Sequence, residues 1–248
     1  MSNKNNKSNV KKTLSSYMDR ILSDKMSFST IETYKLVRTN IMFSLPKSDK
    51  AKVIAISSAC PGEGKTTTAI NLAITFAQTG VKTLIVDCDM RKSRVHRYLG
   101  IEGGTGLSNV LCGFASFEEA VKNDIRPNLD CLTSGELPSN PSELLVSDEF
   151  KKFINYVSEI YDYVILDTPP MIVVTDALVV AREATGLVLV LRKGLSTFSM
   201  LDSVVNSVSQ SNISVLGAIF LGSGEKKAAY KYSYRNKYIY EYSDNKDE

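Results

Sequence analysis

Two alternating periods limit this chain's fold more than any other feature. Short apolar runs at 53–57, 83–87, 129–133, 163–167, 187–191 and 215–220 alternate with stretches of helical period at 66–79, 142–160, 175–183 and 198–209. A strand that is apolar at nearly every position must be covered on both sides. Such strands interleaved with helices predict an α/β domain, with a mostly parallel central sheet and helices on both faces. At 248 residues and 43% apolar, the chain can build one such domain with a sizeable core. An earlier helix is expected from Ser29, where Ser29 and Glu32 stand at capping-box spacing. Tyr34, Val37 and Ile41 share one of its faces, and Pro46 ends it.

The first apolar run, VIAIS, leads straight into SACPGEGKTTTAINLA. The segment from Ala59 to Thr66 has phosphate-loop spacing, with alanine at the first glycine position. Gly62 and Gly64 let the backbone wrap an anion and turn consecutive N–H groups inward. Lys65 is placed to reach the β- and γ-phosphates, and the Thr66 hydroxyl to bind Mg²⁺. The helix that follows adds its positive end. The pattern predicts a P-loop NTPase fold, with Pro61, Gly62, Glu63, Gly64, Lys65, Thr66 and Thr67 lining an ATP site. Three aspartates end strands where such folds bind ligands: Asp87 and Asp89 in TLIVDCD, and Asp167 in YDYVILD. Asp87 and Asp89 are two apart on an extended segment and are expected to point the same way. With Thr66, these three form the expected metal set.

Other features narrow the setting. Net charge is +3, too small to argue for a nucleic-acid partner. The four cysteines form no CxxC pair, and one histidine completes no Cys/His metal set, so they read as reduced thiols. No secretory leader opens the chain, and no apolar stretch approaches the ~18 residues of a spanning helix. A cytoplasmic protein is expected. Residues 1–28 read as a flexible arm, with four lysines and no acid in the first twelve positions. Residues 29–224 form the expected domain. His96 and Tyr98 read as surface or loop residues, and Ser139 to Ser142 as the cap of the helix beginning near 142.

The remaining segment, 225–248, is polar and holds six of the twelve tyrosines: Tyr230, Tyr232, Tyr234, Tyr238, Tyr240 and Tyr242. Their alternation with polar residues fits a half-buried hairpin or an aromatic docking strip. A disordered tail of phosphate acceptors fits better, because an extended, coreless strip can enter another active site without unfolding anything. Each phosphate would add about −1.5 to −2 charges.

PGEGKTT, IVDCDMRKS and VILDTPP, in that order and followed by a tyrosine-rich end, resemble the bacterial tyrosine kinases of capsule and exopolysaccharide assembly, most nearly their Gram-positive cytosolic subunits. GLSNVLCG and SGELPSNPSELL match stretches common in that family. The resemblance implies a Mg-ATP-dependent kinase that autophosphorylates its tyrosine cluster between subunits and regulates polysaccharide synthesis. It assigns catalysis to Lys65, Asp87, Asp89 and Asp167. It favours Asp87 beside the phenol without separating it from Asp89, and adds Arg91 to the nucleotide site. It implies an oligomer, possible as a ring, through Glu32, Lys35 and Arg38, where lysine replaces the family's middle arginine. It also implies recruitment to the inner membrane face by the cytosolic C-terminal segment of a membrane adaptor of the polysaccharide co-polymerase type. Leu221 stands where the family often has an adenine-contacting asparagine. The alternatives are a positioning ATPase or an ATP-sensing module. Positioning ATPases carry a signature lysine early in the loop, where this chain has Cys60.

Overall fold

The computed structural model describes residues 17–47 and 51–222. Seven strands form one sheet: β1 (Lys52–Ser58), β2 (Thr83–Asp87), β3 (Lys122–Arg126), β4 (Leu129–Leu132), β5 (Tyr163–Asp167), β6 (Gly186–Arg192) and β7 (Val215–Leu221). Their spatial order is β3-β4-β2-β5-β1-β6-β7. Every neighbouring pair is parallel except β3 and β4. The helices are α1 (Phe28–Ser44), α2 (Lys65–Ala77), α3 (Val95–Leu99), α4 (Leu107–Leu111), α5 (Phe117–Ala120), α6 (Pro141–Val146), α7 (Asp148–Ile160), α8 (Asp176–Arg182) and α9 (Phe198–Gln210).

Alternation along the strands supplies both faces of the sheet. Ile54, Ile56, Ile85 and Ile165 pack with α2 and with Ile41 of α1. Val53, Leu84, Val86, Val164 and Leu166 face the opposite way, against α4, α5 and α7. Ala55, Leu187 and Leu189 continue that second face under α8 and α9. This explains the near-continuous apolar runs: both sides of the central strands are dry. All six apolar runs are strands.

Four local expectations are corrected. The first helix starts at Phe28, and its N-cap is Ser27, whose hydroxyl accepts from the Thr30 amide. Ser29 and Glu32 therefore form no capping box, and Glu32 pairs with Lys35 instead. The stretch at 142–160 is two helices, broken at Ser147. That residue ends α6 in an extended conformation and caps α7 by accepting from the Phe150 amide. The lead-in to α6 also differs: Pro141 takes its first turn, and Asn140 makes no side-chain cap. Tyr98 is not a surface residue, because α3 buries it in the core with its ring edge-on to Tyr17.

Strand β3, KNDIR, carries no apolar run and went unforeseen. It is a charged antiparallel edge strand, a composition that discourages pairing with another chain. The arm predicted over 1–28 extends too far. Ile21 and Leu22 are buried in the core, where the Leu22 amide donates to Asn71 and its carbonyl accepts from Arg126. Residues 1–16 and the tail from 223 onward, with all six clustered tyrosines, lie outside the described residues.

Candidate active site

The loop between β1 and α2 is shaped by its glycines. Gly62 has φ 89° and Gly64 φ 97°, a region that favours glycine. A Cβ on Gly64 would also come within 2.8 Å of the Leu221 side chain, so the end of β7 lies against this loop. The helix that follows starts at Lys65 without a side-chain cap, leaving its first amides directed at the loop's concavity.

The Glu63 side chain does not line that concavity. It is fully buried, accepting from the Cys60 amide at 2.8 Å and from the Ser196 hydroxyl. Arg192 donates to the Gly62 carbonyl from the same neighbouring segment. The end of β6 and the residues just after it thus brace the loop, and only the backbone of Glu63 is placed to meet phosphate. Burial, and then Glu63, push the Cys60 thiol above its ordinary range. Replacing Glu63 with alanine should strand two donors and cost about 1–3 kcal/mol. Urea unfolding should show that loss, and MgADP titration a weaker affinity. An unchanged midpoint and affinity would mean that the brace contributes nothing.

The strand-end acids converge on Lys65. Asp87 and Asp167 are direct neighbours across β2 and β5. The Lys65 ammonium lies 2.9 Å from Asp89 Oδ2 and 3.7 Å from Asp167 Oδ1. Burial opposes the Lys65 charge, but Asp167 and Asp89 outweigh it and raise its pKa. Asp87 is turned differently. Its Oδ2 accepts from the Ser93 hydroxyl and from the amides of Arg94 and Val95, and its Oδ1 accepts from the Asp89 amide. Asp87 and Asp89 therefore take different hydrogen-bond partners: Asp87 in its own loop, Asp89 at Lys65. Burial, then Asp167, push Asp87 up to about 7. Burial also raises Asp167 against the opposing pull of Lys65.

Asp167 Oδ1 is buried without a hydrogen-bond partner. Among the described residues, no three His, Cys, Asp or Glu side chains are gathered to hold a metal by themselves. Mg²⁺ asks for less: one or two carboxylates, with phosphates and waters completing its shell. The unsatisfied Asp167 oxygen and the adjacent Thr66 hydroxyl fit that requirement.

Other expected site residues are placed elsewhere. The Arg91 guanidinium binds Asp176 at 2.9 Å rather than pointing at Lys65. Lys35 and Glu32 pair with each other at 2.8 Å, and Arg38 donates to the Thr75 carbonyl near the end of α2. Sequence reasoning missed Ser93, Ser142, Asp176 and Ser196. The residues these four touch are mostly distant in the chain, so no spacing rule could flag them.

A parallel sheet with a glycine loop, a lysine at a helix head and strand-end acids beside it defines a P-loop nucleotide-binding protein. The model of the AAA domain family matches residues 51–211. Tyrosine-protein kinase YwqD of Bacillus subtilis is 42% identical over 191 residues, covering 77% of this chain and 80% of YwqD. The kinase domain of the Escherichia coli tyrosine kinase ETK superposes with a TM-score of 0.78 at 32% identity, covering 82% of this chain and 79% of that one. The crystal structure of the chimerical protein CapA2B2 gives 0.75 at 34% identity, covering 83% and 89%. The chain belongs to the bacterial tyrosine-protein kinase family, and it is a nucleotide-binding enzyme.

Proposed function

We propose that the enzyme transfers the γ-phosphoryl group of Mg-ATP to the tyrosines of its own C-terminal cluster, between neighbouring subunits, and so regulates capsular or exopolysaccharide synthesis. The observation that carries this reading is Lys65 held between Asp89 and Asp167 at the head of α2. A triphosphate in the loop would offer Lys65 oxygens to replace one of those carboxylates. The amides of residues 62–67 would hold the phosphates, and Lys65 would neutralise charge as transfer proceeds. Thr66 and Asp167, with Asp89 and Asp87 nearby, would hold Mg²⁺, which would supply positive charge against the phosphates.

A phenol has a pKa near ~10, so a carboxylate must accept its proton as the new bond forms. Asp87, at the end of β2 directly across from Asp167, is the acid assigned to that task. Its four donors must loosen to admit a phenol, and the Ser93 hydroxyl is the donor free to rotate. Arg91 would act on the nucleotide only by leaving Asp176.

The α1 surface supports an oligomer. Lys35 and Glu32 are more than 40% exposed, beside exposed Leu36, Met42 and Phe43. An adaptor segment beside the loop is supported by exposed Leu195 and Phe198 on the segment that braces it. Among the described residues no helix is long and apolar enough to cross a membrane.

The tail carries the test. Mass spectrometry after incubation with Mg-ATP and an adaptor peptide should find phosphate on residues 230–242. Replacing all six clustered tyrosines with phenylalanine should remove most phosphotyrosine without altering the fold. Undiminished labelling would place the acceptor elsewhere. ATP hydrolysis without any phosphotyrosine would favour a positioning ATPase.

A further inference from the structure

A second polar cluster closes the same end of the sheet. Arg91 Nε donates to Asp176 Oδ2 at 2.9 Å, and its Nη2 donates to Ser142 Oγ at 2.8 Å. Ser142 in turn donates to Asp176 Oδ1 at 2.6 Å. The three side chains come from three connections. Arg91 follows β2, Ser142 lies in the first turn of α6 beyond β4, and Asp176 opens α8 beyond β5. Strands β4, β2 and β5 are consecutive in the sheet. One carboxylate therefore ties together the connections leaving three adjacent strands.

The burial is informative. Asp176 is 1% exposed, and a charge that deep needs partners to be tolerable. The hydrogen bonds from Arg91 and Ser142 engage both of its oxygens. Arg91 stands two residues beyond Asp89, the acid paired with Lys65, and Asp176 stands on the connection that starts at Asp167. Releasing Arg91 would free the β2 connection from the β5 connection close to the acids that flank Lys65.

We propose that Asp176 is a positioning residue for phosphoryl transfer, gripping Arg91 and Ser142 so that the loop bearing Asp87 and Asp89 keeps its place beside Lys65 and Asp167. This rests on the kinase reading for the reaction it assists. Asp176 acts through Arg91. Its loss should therefore slow the chemical step more than it weakens nucleotide binding, because the phosphate-binding amides belong to another loop. A misplacement of about 1 Å can cost ~10²-fold in rate.

The full-length protein should be assayed for steady-state ATP turnover, for phosphotyrosine in parallel, and for MgADP affinity. D176N and R91A should each lower kcat about 10–100-fold, with the MgADP Kd changed less than about threefold. R91K should recover part of the loss. The R91A/D176N double variant should be no worse than the poorer single, because both remove the same contact. S142A, a neutral change that keeps the ion pair, should lower kcat about 3–10-fold and serves if D176N fails to fold. Unchanged kcat in folded D176N or S142A would overturn the proposal. So would additive losses in the double variant, or a Kd rising in step with the loss of kcat. If the parent turns over ATP without forming phosphotyrosine, the tyrosine-kinase reading fails, while the coupling of Arg91 to Asp176 is still read from ATP turnover.

Discussion

Replacing Lys65 with methionine is expected to lower phosphotyrosine formation at least about 10²–10³-fold, the scale of removing one preorganised charge from a transition state. The reason is visible before any nucleotide enters. Lys65 is the cation against which Asp89 and Asp167 are packed, and its own charge is held up by those acids. Methionine fills similar space but leaves buried carboxylates facing one another. Two readouts should therefore move together. Phosphotyrosine, measured by mass spectrometry, should vanish, and the melting temperature without Mg²⁺ should fall, because removing one partner strands buried charge. A variant that is inactive but as stable as the parent would mean that the acids relax into water when the lysine is lost. A variant that still labels its tail would remove Lys65 from the chemistry.

Asp87 should make the enzyme less stable as pH rises, opposite to the usual behaviour of paired carboxylates. Its folded pKa of about 7 lies above the ordinary value of 3.8. The folded state therefore binds more protons than the unfolded chain between those values, and stability falls as pH rises across that window. The penalty is absent below the unfolded value and complete above about 7. Asp167 is raised too and acts in the same direction. Melting temperatures of the parent, without Mg²⁺ or nucleotide, should drop between pH 5 and 8. Asp87→Asn should flatten much of that drop and melt above the parent at pH 8, while losing phosphotyrosine formation. Parallel pH profiles for the two proteins would show that Asp87 ionises without penalty. Mg²⁺ should reduce the difference by compensating the acids.

These two residues mark how far the sequence could be read. Lys65 was legible because a phosphate loop is a local device: eight consecutive residues set its backbone, and the flanking strand and helix follow from short-range periodicity. Asp87 was legible as a position but not as an environment. Its place at a strand end follows from the apolar run before it. Its neighbour Asp167 comes from a strand far along the chain, brought alongside only by sheet order. That Asp87 and Asp89 take different hydrogen-bond partners was hidden for a related reason. The chain turns at Asp89, whose carbonyl accepts from the Lys92 amide, and Asp87 is captured by the amides that open α3.

The missed elements share a cause as well. Strand β3 is an edge strand with no apolar run to mark it, unlike the opposite edge, β7, whose VLGAIFL is legible although largely exposed. The break at Ser147 was written locally, in a serine followed by two acids, but continuous apolar spacing on either side concealed it. Ile21 and Leu22 lie in a weakly patterned stretch, and Leu22 is held by Asn71 of α2 and Arg126 of β3, both far along the chain.

By itself, the sequence determined the succession of strands and helices, the phosphate loop with its lysine, and the acids at the strand ends. Each follows from the chemistry of neighbouring residues. Tertiary structure alone decided which acid meets Lys65, that Glu63 braces the loop instead of lining it, and that Arg91 is held by Asp176. Those choices are contacts between segments distant in the chain, and only the order of strands in the sheet brings the segments together.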